Sequence, residues 1–172
     1  EKWMRSDKRK PEFPFGWLGA KAEVRYQPKG TVGVISPWNF PVQLTFGPLA
    51  GILAAGNRAM IKPSELTPET SALMARLFDL VFDEEEIAVV TGGPDVGQAF
   101  CGLAFDHIIF TGGTSIARHV MRAAADNLVP LTLELGGKSP TIIGRSADFE
   151  QAVTRIMSGK TMNAGQICLA PD

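Results

Sequence analysis

The chain has 172 residues, with 17 Lys+Arg against 18 Asp+Glu and a formal net charge of −1. Nucleic-acid binding through phosphates needs clustered surplus cations, so this balance excludes an electrostatic nucleic-acid binder. At 45% hydrophobic and 20% charged residues the composition is that of a folded chain with a core rather than a disordered one, and its length suits a single domain of about 100–200 residues.

The first residues, Glu1 to Lys10, include no initiator Met and no apolar signal stretch, and they read as the interior of a longer protein. The run Lys8-Arg9-Lys10 reads as a solvated linker ahead of Pro11 and Pro14. After it, Ala22 to Tyr26 alternates as a half-exposed strand does. Thr31 to Ser36 is a β-branched run stopped by Pro37, which predicts a buried strand. Residues 42–55 are apolar on nearly every side and predict a buried helix that Gly56-Asn57 ends. Its apolar stretch, broken by Thr45, Gly47 and Pro48, falls short of the ~20 residues that span a bilayer, so no membrane segment is expected.

Arg58 to Ile61 predicts the next strand. Thr67-Pro68-Glu69 then supplies a capping hydroxyl, a first-turn proline and an acid, opening a helix on which Leu73, Leu77 and Val81, with Met74 and Phe78, fall at helical spacing. Ile87 to Val90 is a strand, Asp95 to Cys101 a short helix and His107 to Phe110 a strand. Thr114 is placed to cap a helix reaching about Asn127, with Ile116, Val120 and Ala124 on one face. Leu131 to Leu135 and Thr141 to Ile143 complete the strands, and Asp148 to Met162 forms a last helix. Repeated strand-helix alternation with apolar strands predicts an α/β fold, a Rossmann-like doubly wound parallel sheet with helices on both faces. Ligands of such sheets sit at the carboxyl ends of the strands, which directs attention to loops 36–41, 62–66, 111–114 and 135–139.

No Gly-x-Gly-x-x-Gly follows the first strand of that sheet; Ser36-Pro37-Trp38-Asn39-Phe40-Pro41 stands there instead. Thr111-Gly112-Gly113-Thr114 is either a phosphate site at a helix N-terminus or a tight turn. Lys62-Pro63-Ser64-Glu65 offers a cation and a carboxylate, either for vicinal hydroxyls or for each other. Glu134, between Leu133 and Leu135, is either a general base with a carboxyl pKa raised by desolvation or the partner of a cation such as Lys138. Of the two cysteines, Cys101 in Phe100-Cys101-Gly102 reads as a buried small hydrophobe. Cys168, after the small and polar Asn163-Ala164-Gly165-Gln166-Ile167, is a candidate nucleophile. The pair lacks close metal-type neighbours, so neither a metal site nor a disulfide framework is expected and a cytoplasmic setting fits.

Pro37-Trp38-Asn39-Phe40-Pro41, Lys62-Pro63-Ser64-Glu65, Phe110-Thr111-Gly112-Gly113-Thr114, Leu133 to Pro140 and Gly165-Gln166-Ile167-Cys168 occur in an order and spacing that resemble the aldehyde dehydrogenase superfamily, from about residue 21 onward. Ala55-Gly56-Asn57-Arg58, Ala123-Ala124-Ala125 and Cys168-Leu169-Ala170-Pro171-Asp172 are most similar to its class 3 group and to coniferyl-aldehyde dehydrogenases. The resemblance implies oxidation of an aldehyde to a carboxylic acid, with Cys168 as nucleophile, Asn39 stabilising the oxyanion together with the Cys168 backbone N–H, and Glu134 activating water. A coenzyme A-acylating dehydrogenase and a non-catalytic nucleotide-binding module are the alternatives. The resemblance also implies cofactor contacts at Ser36, Pro37, Trp38, Lys62, Glu65, Gly112, Gly113, Thr114, Leu135 and Gly136, with NAD as cofactor and NADP as the alternative. Gly113 stands where the family has a serine, and Ala117 where it has a glycine. The implied organisation is a linker over 1–20, a dinucleotide-binding domain over 21–133 and the start of a catalytic domain over 134–172, in a fragment of a protein that assembles as a homodimer or higher homo-oligomer.

Overall fold

In the computed structural model, which describes residues 4–172, an antiparallel pair, β1 (Asp7–Arg9) and β2 (Ala22–Val24), precedes a five-stranded sheet. That sheet contains β3 (Thr31–Ile35), β4 (Arg58–Lys62), β5 (Ile87–Val89), β6 (His107–Gly112) and β7 (Leu131–Leu135) in the order β5-β4-β3-β6-β7, with every neighbouring pair parallel. The chain builds outward from β3 to β5, then returns and lays β6 on the other edge of β3. This doubly wound order places a topological switch point between β3 and β6, where a ligand crevice opens at the carboxyl ends.

The period of two in each strand divides the core. Val32, Val34, Ala59, Ile61 and Ile87 meet Leu49 and Ile52 of α1 (Gln43–Ala54) and Met74 and Phe78 of α2 (Pro68–Asp79). On the opposite face Ile108 and Phe110 meet Phe100 and Cys101 of α3 (Pro94–Cys101) and Ala117, Val120 and Ala124 of α4 (Thr114–Ala125). Ile61 and Ile108 are fully buried, each contributing about 1.5–3 kcal/mol by leaving water. Gly33 lies under the second layer, where a Cβ would stand 2.9 Å from the Phe105 ring and 3.2 Å from Phe100. Only a residue without a side chain lets the Phe100–Phe105 pair, with centroids 4.9 Å apart, rest on the central strand.

Several expectations need correction. Asp7–Arg9, within the expected linker, is a strand because β2 supplies its partner; residues 1–3 of that linker lie outside the described residues. Residues 42–55 form the expected helix, but α1 buries only Thr45, Leu49 and Ile52, leaving Val42 and Phe46 exposed. On α2 it is Met74 and Phe78 that turn inward, while Leu73 and Leu77 are exposed, as is Val81 in the turn beyond the helix. On α4, Ile116 is exposed and Ala117 takes its place in the core. Thr67 makes no capping bond, its hydroxyl going instead to the Ser64 carbonyl. Gly113 rather than Thr114 is the N-cap of α4, since β6 runs on through Thr111 and Gly112. Thr141 to Ile143 finds no strand to pair with in the sheet; instead Ser139 bridges Pro171 and the Thr141 N–H donates to the Asp172 carbonyl at 3.0 Å. The last helix, α5 (Phe149–Thr161), is capped by Asp148, whose Oδ1 accepts from the Gln151 N–H at 3.0 Å.

At the amino end of the sheet the His107 ring lies between Lys29 Nζ, 3.2 Å from Nδ1, and Thr132 Oγ1, 2.8 Å from Nε2. An ammonium can only donate, so Nδ1 accepts and Nε2 carries the proton. Burial first, then the Lys29 charge, pushes the His107 pKa down from 6.5.

Two outcomes follow. Gly33→Ala lowers the free energy of unfolding by about 1–3 kcal/mol in a denaturant titration, because the added methyl meets aromatic carbon rather than space. The native state binds His107's proton less readily than the unfolded chain, so stability at neutral pH is lost as pH falls from about 6.5 through the lower folded value. His107→Gln flattens that part of the profile, and an unchanged profile excludes the histidine as its source.

Candidate active site at the carboxyl edge of the sheet

The loop leaving β3 is fastened at both ends. The Ser36 N–H donates to the Lys62 carbonyl at 3.2 Å, extending the β3–β4 ladder by one bond. The Thr45 hydroxyl, fully buried in the first turn of α1, stands 2.6 Å from the Pro41 carbonyl and 2.7 Å from Ser36 Oγ. One side chain therefore ties the start and the finish of 36–41 to the helix behind it. Ser36 and Pro37 are buried, Asn39 is half-buried and Trp38 is exposed at the loop's crest.

At the end of β4, Lys62 is almost wholly buried and its ammonium donates to Glu65 Oε2 at 2.6 Å. That bond holds the Glu65 carboxyl below the usual carboxylate range, aided by a backbone N–H. The carboxylate keeps one side in solvent, with 39% of its side chain exposed. The lysine stem passes Gly97 of α3, whose absent Cβ would lie 3.6 Å from Lys62 Cε. Across the switch point, Gly113 opens α4 with no side chain over the helix N-terminus, where first-turn N–H groups lack intrahelical acceptors. An anionic group at that end meets both those donors and the helix dipole. Gly112 and Leu135 are half-buried at the ends of β6 and β7, while Thr114 and Gly136 are exposed.

The cysteine segment reaches this edge from far along the chain. After α5 the backbone turns through Asn163, Ala164 and Gly165, with φ of 49°, 56° and 78°, and this left-handed run is the sharpest departure from ordinary geometry near the site. The turn is docked on the β3 loop by two bonds. Asn39 Nδ2 donates to the Gln166 carbonyl at 2.9 Å, and Asn163 Nδ2 donates to the Asn39 carbonyl at 3.0 Å. Cys168 follows two residues later and is exposed, whereas Cys101 is buried and its thiol is pushed up by desolvation, against a smaller opposing pull from Lys62. Beyond it, Asp172 pairs with Lys138 at 2.9 Å and Lys160 at 3.1 Å.

Glu134 is not desolvated by its two leucines. It pairs in register with Thr111, and residues paired in a parallel ladder share a face. Leu133 and Leu135 turn toward the α4 layer while Glu134 points to the other side. The α1 and α2 layer stacks on β3, β4 and β5, so the carboxylate on β7 is exposed. Lys138 is not its partner, being paired with Asp172. The structure therefore brings together Asn39 with the cysteine turn and Lys62 with Glu65, and sets Gly113 across the switch point. Thr45 and Asn163 are the functional candidates that motif reading passes over. An Asn-x-Gly ahead of a cysteine is a signal that would have found the second, since Asn and Gly are the residues that enter left-handed turns most readily.

Residues 3–172 match the model of the aldehyde dehydrogenase family. It is 68% identical over 172 residues to the probable coniferyl aldehyde dehydrogenase of Caulobacter vibrioides, a match that covers 99% of this chain and 36% of that protein. Among solved structures it is similar to the substrate-bound state of Staphylococcus aureus AldH, with a TM-score of 0.92 and 43% identity over 99% of this chain and 37% of that one. It is also similar to the Mycobacterium tuberculosis aldehyde dehydrogenase complexed with NAD+, with a TM-score of 0.85 and 35% identity over 96% of this chain and 34% of that one. The chain thus spans about a third of the length of the relatives it matches.

Thr45→Val keeps the volume of the buried side chain but leaves the Pro41 carbonyl and the Ser36 hydroxyl without this partner. Each unsatisfied buried group costs about 1–3 kcal/mol, so the variant unfolds at lower denaturant, while Thr45→Ser, which keeps the hydroxyl, recovers most of the loss.

Proposed function

The chain belongs to the aldehyde dehydrogenase family, and we propose that the protein oxidises an aldehyde, of aromatic coniferyl type, to a carboxylic acid with NAD as hydride acceptor. The observation that carries this reading is the clasp between Asn39 and the turn preceding Cys168, with N···O distances of 2.9 and 3.0 Å. It fastens an amide donor to the segment that carries an exposed thiol two residues after Gln166, and an amide donor with a thiol is the pairing that nucleophilic addition to a carbonyl requires.

In this reading the Cys168 thiolate adds to the aldehyde carbon and the carbonyl π-electrons move onto oxygen. An amide nitrogen carries two hydrogens. Asn39 has given one to the Gln166 carbonyl and keeps the other for the developing oxyanion, with the Cys168 backbone N–H as the second donor. Collapse of the oxyanion expels hydride and leaves a thioester on Cys168. Glu134, accessible to water on its open face, takes a proton from the water that attacks the thioester. The carboxylic acid leaves and the thiolate is restored.

The dinucleotide, when bound, supplies the hydride acceptor. The residues present suit it. Glu65, kept ionised by Lys62 and half open to solvent, accepts hydrogen bonds from ribose hydroxyls and repels a 2′-phosphate, which favours NAD over NADP. The bare N-terminus of α4 at Gly113 takes phosphate through backbone N–H groups alone. Ser36, Pro37, Trp38, Gly112, Thr114, Leu135 and Gly136 complete the proposed contact set along the same edge. We assign residues 21–133 to the dinucleotide-binding domain and 134–172 to the beginning of a catalytic one, in a homo-oligomer. Among the described residues no helix is long and apolar enough to cross a membrane. A cytoplasmic setting keeps the exposed Cys168 reduced.

In the full-length protein supplied with coniferyl aldehyde and NAD, Cys168→Ala abolishes NADH formation. Glu134→Gln slows turnover by about 10²–10⁴ yet retains a pre-steady-state burst of NADH, since hydride transfer precedes the step that needs the base. Loss of the burst together with turnover overturns the role given to Glu134, and activity in Cys168→Ala overturns the reading as a whole.

A further inference from the structure

We propose that Asn163 is a positioning residue that aims Cys168 through Asn39, an inference resting on the assignment of Cys168 as the nucleophile.

Three hydrogen bonds close into a ring. Asn163 Nδ2 donates to the Asn39 carbonyl at 3.0 Å, Asn39 Nδ2 donates to the Gln166 carbonyl at 2.9 Å, and the Gln166 N–H returns to the Asn163 carbonyl at 3.1 Å. The ring joins segments more than 120 residues apart in the chain. Little else holds the cysteine turn in place: α5 buries no side chain, and Met162 and Cys168 are both exposed. The next fastening is beyond the cysteine, where Ser139 bridges Pro171 and the Asp172 N–H donates to the Ser139 carbonyl at 2.8 Å. Cys168 is thus suspended between two anchors, and only the one at Asn163 touches the loop that carries Asn39.

Asn163 meets two demands at once. Its backbone is left-handed, with φ 49° and ψ 42°, a region that asparagine enters more readily than most residues. Its side chain must also donate to a carbonyl, which an amide does and a carboxylate cannot. The ring fixes the rotation of the Asn39 amide as well, because one N–H is committed to the Gln166 carbonyl and the other must then point away from it. Asn163 therefore sets both the position of the sulfur and the direction of the remaining donor without touching the reacting atoms.

The test uses the full-length enzyme and two variants that keep the turn but lose the donor. Asn163→Gly tolerates the left-handed backbone, and Asn163→Asp keeps the size of the side chain. The expected result is that both lower the rate constant of the NADH burst by about 10- to 100-fold, the scale of a misplacement near 1 Å. The burst amplitude per folded enzyme, the Kd for NAD and the thermal midpoint stay close to those of the parent. A parental burst rate in either variant overturns the proposal, as does a loss of activity matched by a lower amplitude or midpoint, which marks a merely structural role. Cys168→Ala assayed alongside separates the two levels. NADH formation without the cysteine sinks the nucleophile assignment, whereas an inactive Cys168→Ala beside parental Asn163 variants sinks only the positioning role.

Discussion

The carboxyl edge of the sheet is organised around one buried cation. Lys62 ends the strand next to the centre of the sheet, and its carbonyl receives the Ser36 N–H at 3.2 Å, so the exit of the β3 loop is set by its backbone. Its side chain is 5% exposed, with Glu65 2.6 Å from the ammonium and Gly97 alongside the stem. A charge without that partner is strongly penalised in such surroundings. Water reaches the glutamate side, so the pair is worth less than the ~3–5 kcal/mol lost when a fully buried pair is broken. Its larger consequence is geometric. The loops after β3 and β4 are both fastened to Lys62, the first through its carbonyl and the second through its ammonium, and Glu65 is presented to solvent already ionised.

Much of this was legible in the amino-acid sequence because the strands of a sheet buried on both faces are short apolar runs. Thr31–Ile35 and Leu131–Leu135 need no distant partner to be recognised. Asp7–Arg9 is different: three charged residues form a strand only because Ala22–Val24 lies antiparallel beside them, and no local pattern records a partner reached across a long loop. Thr141 to Ile143 is the reverse case, β-branched enough for a strand but without an edge in the sheet to join. Glu134 shows how a pattern can be present and be misjudged. Its two leucine neighbours suggested an apolar pocket, yet alternate residues of a strand face opposite sides, so Leu133 and Leu135 point to the α4 layer and the carboxylate away from it. Neighbours in sequence report the burial of the opposite face.

The same geometry separates the two halves of the site. The half that suits a dinucleotide rests on elements with their own cores: Ile61 behind Lys62, and Ala117, Val120 and Ala124 behind Gly113. Ala117 illustrates the coupling, since its methyl is 2% exposed and fills the layer directly below the helix N-terminus. Ala117 thus has a packing role here, and the bare Gly113 above it leaves first-turn backbone N–H groups open.

The half to which we assign the chemistry is built differently. Glu134 is on an edge strand, Cys168 follows a left-handed turn, and neither is enclosed by the described residues. Their placement depends on a few directed bonds instead of buried area. Hydrophobic packing is non-directional and tolerates small displacements, while a hydrogen bond weakens steeply as its angle closes below ~120°. A nucleophile and an oxyanion donor have to be aligned with each other more closely than either has to be buried. On the assignment proposed above, the ring through Asn39, Asn163 and Gln166 supplies that alignment and gives both N–H groups of an asparagine at position 39 a use. A single-donor side chain there would have to choose between holding the cysteine turn and facing the substrate oxygen.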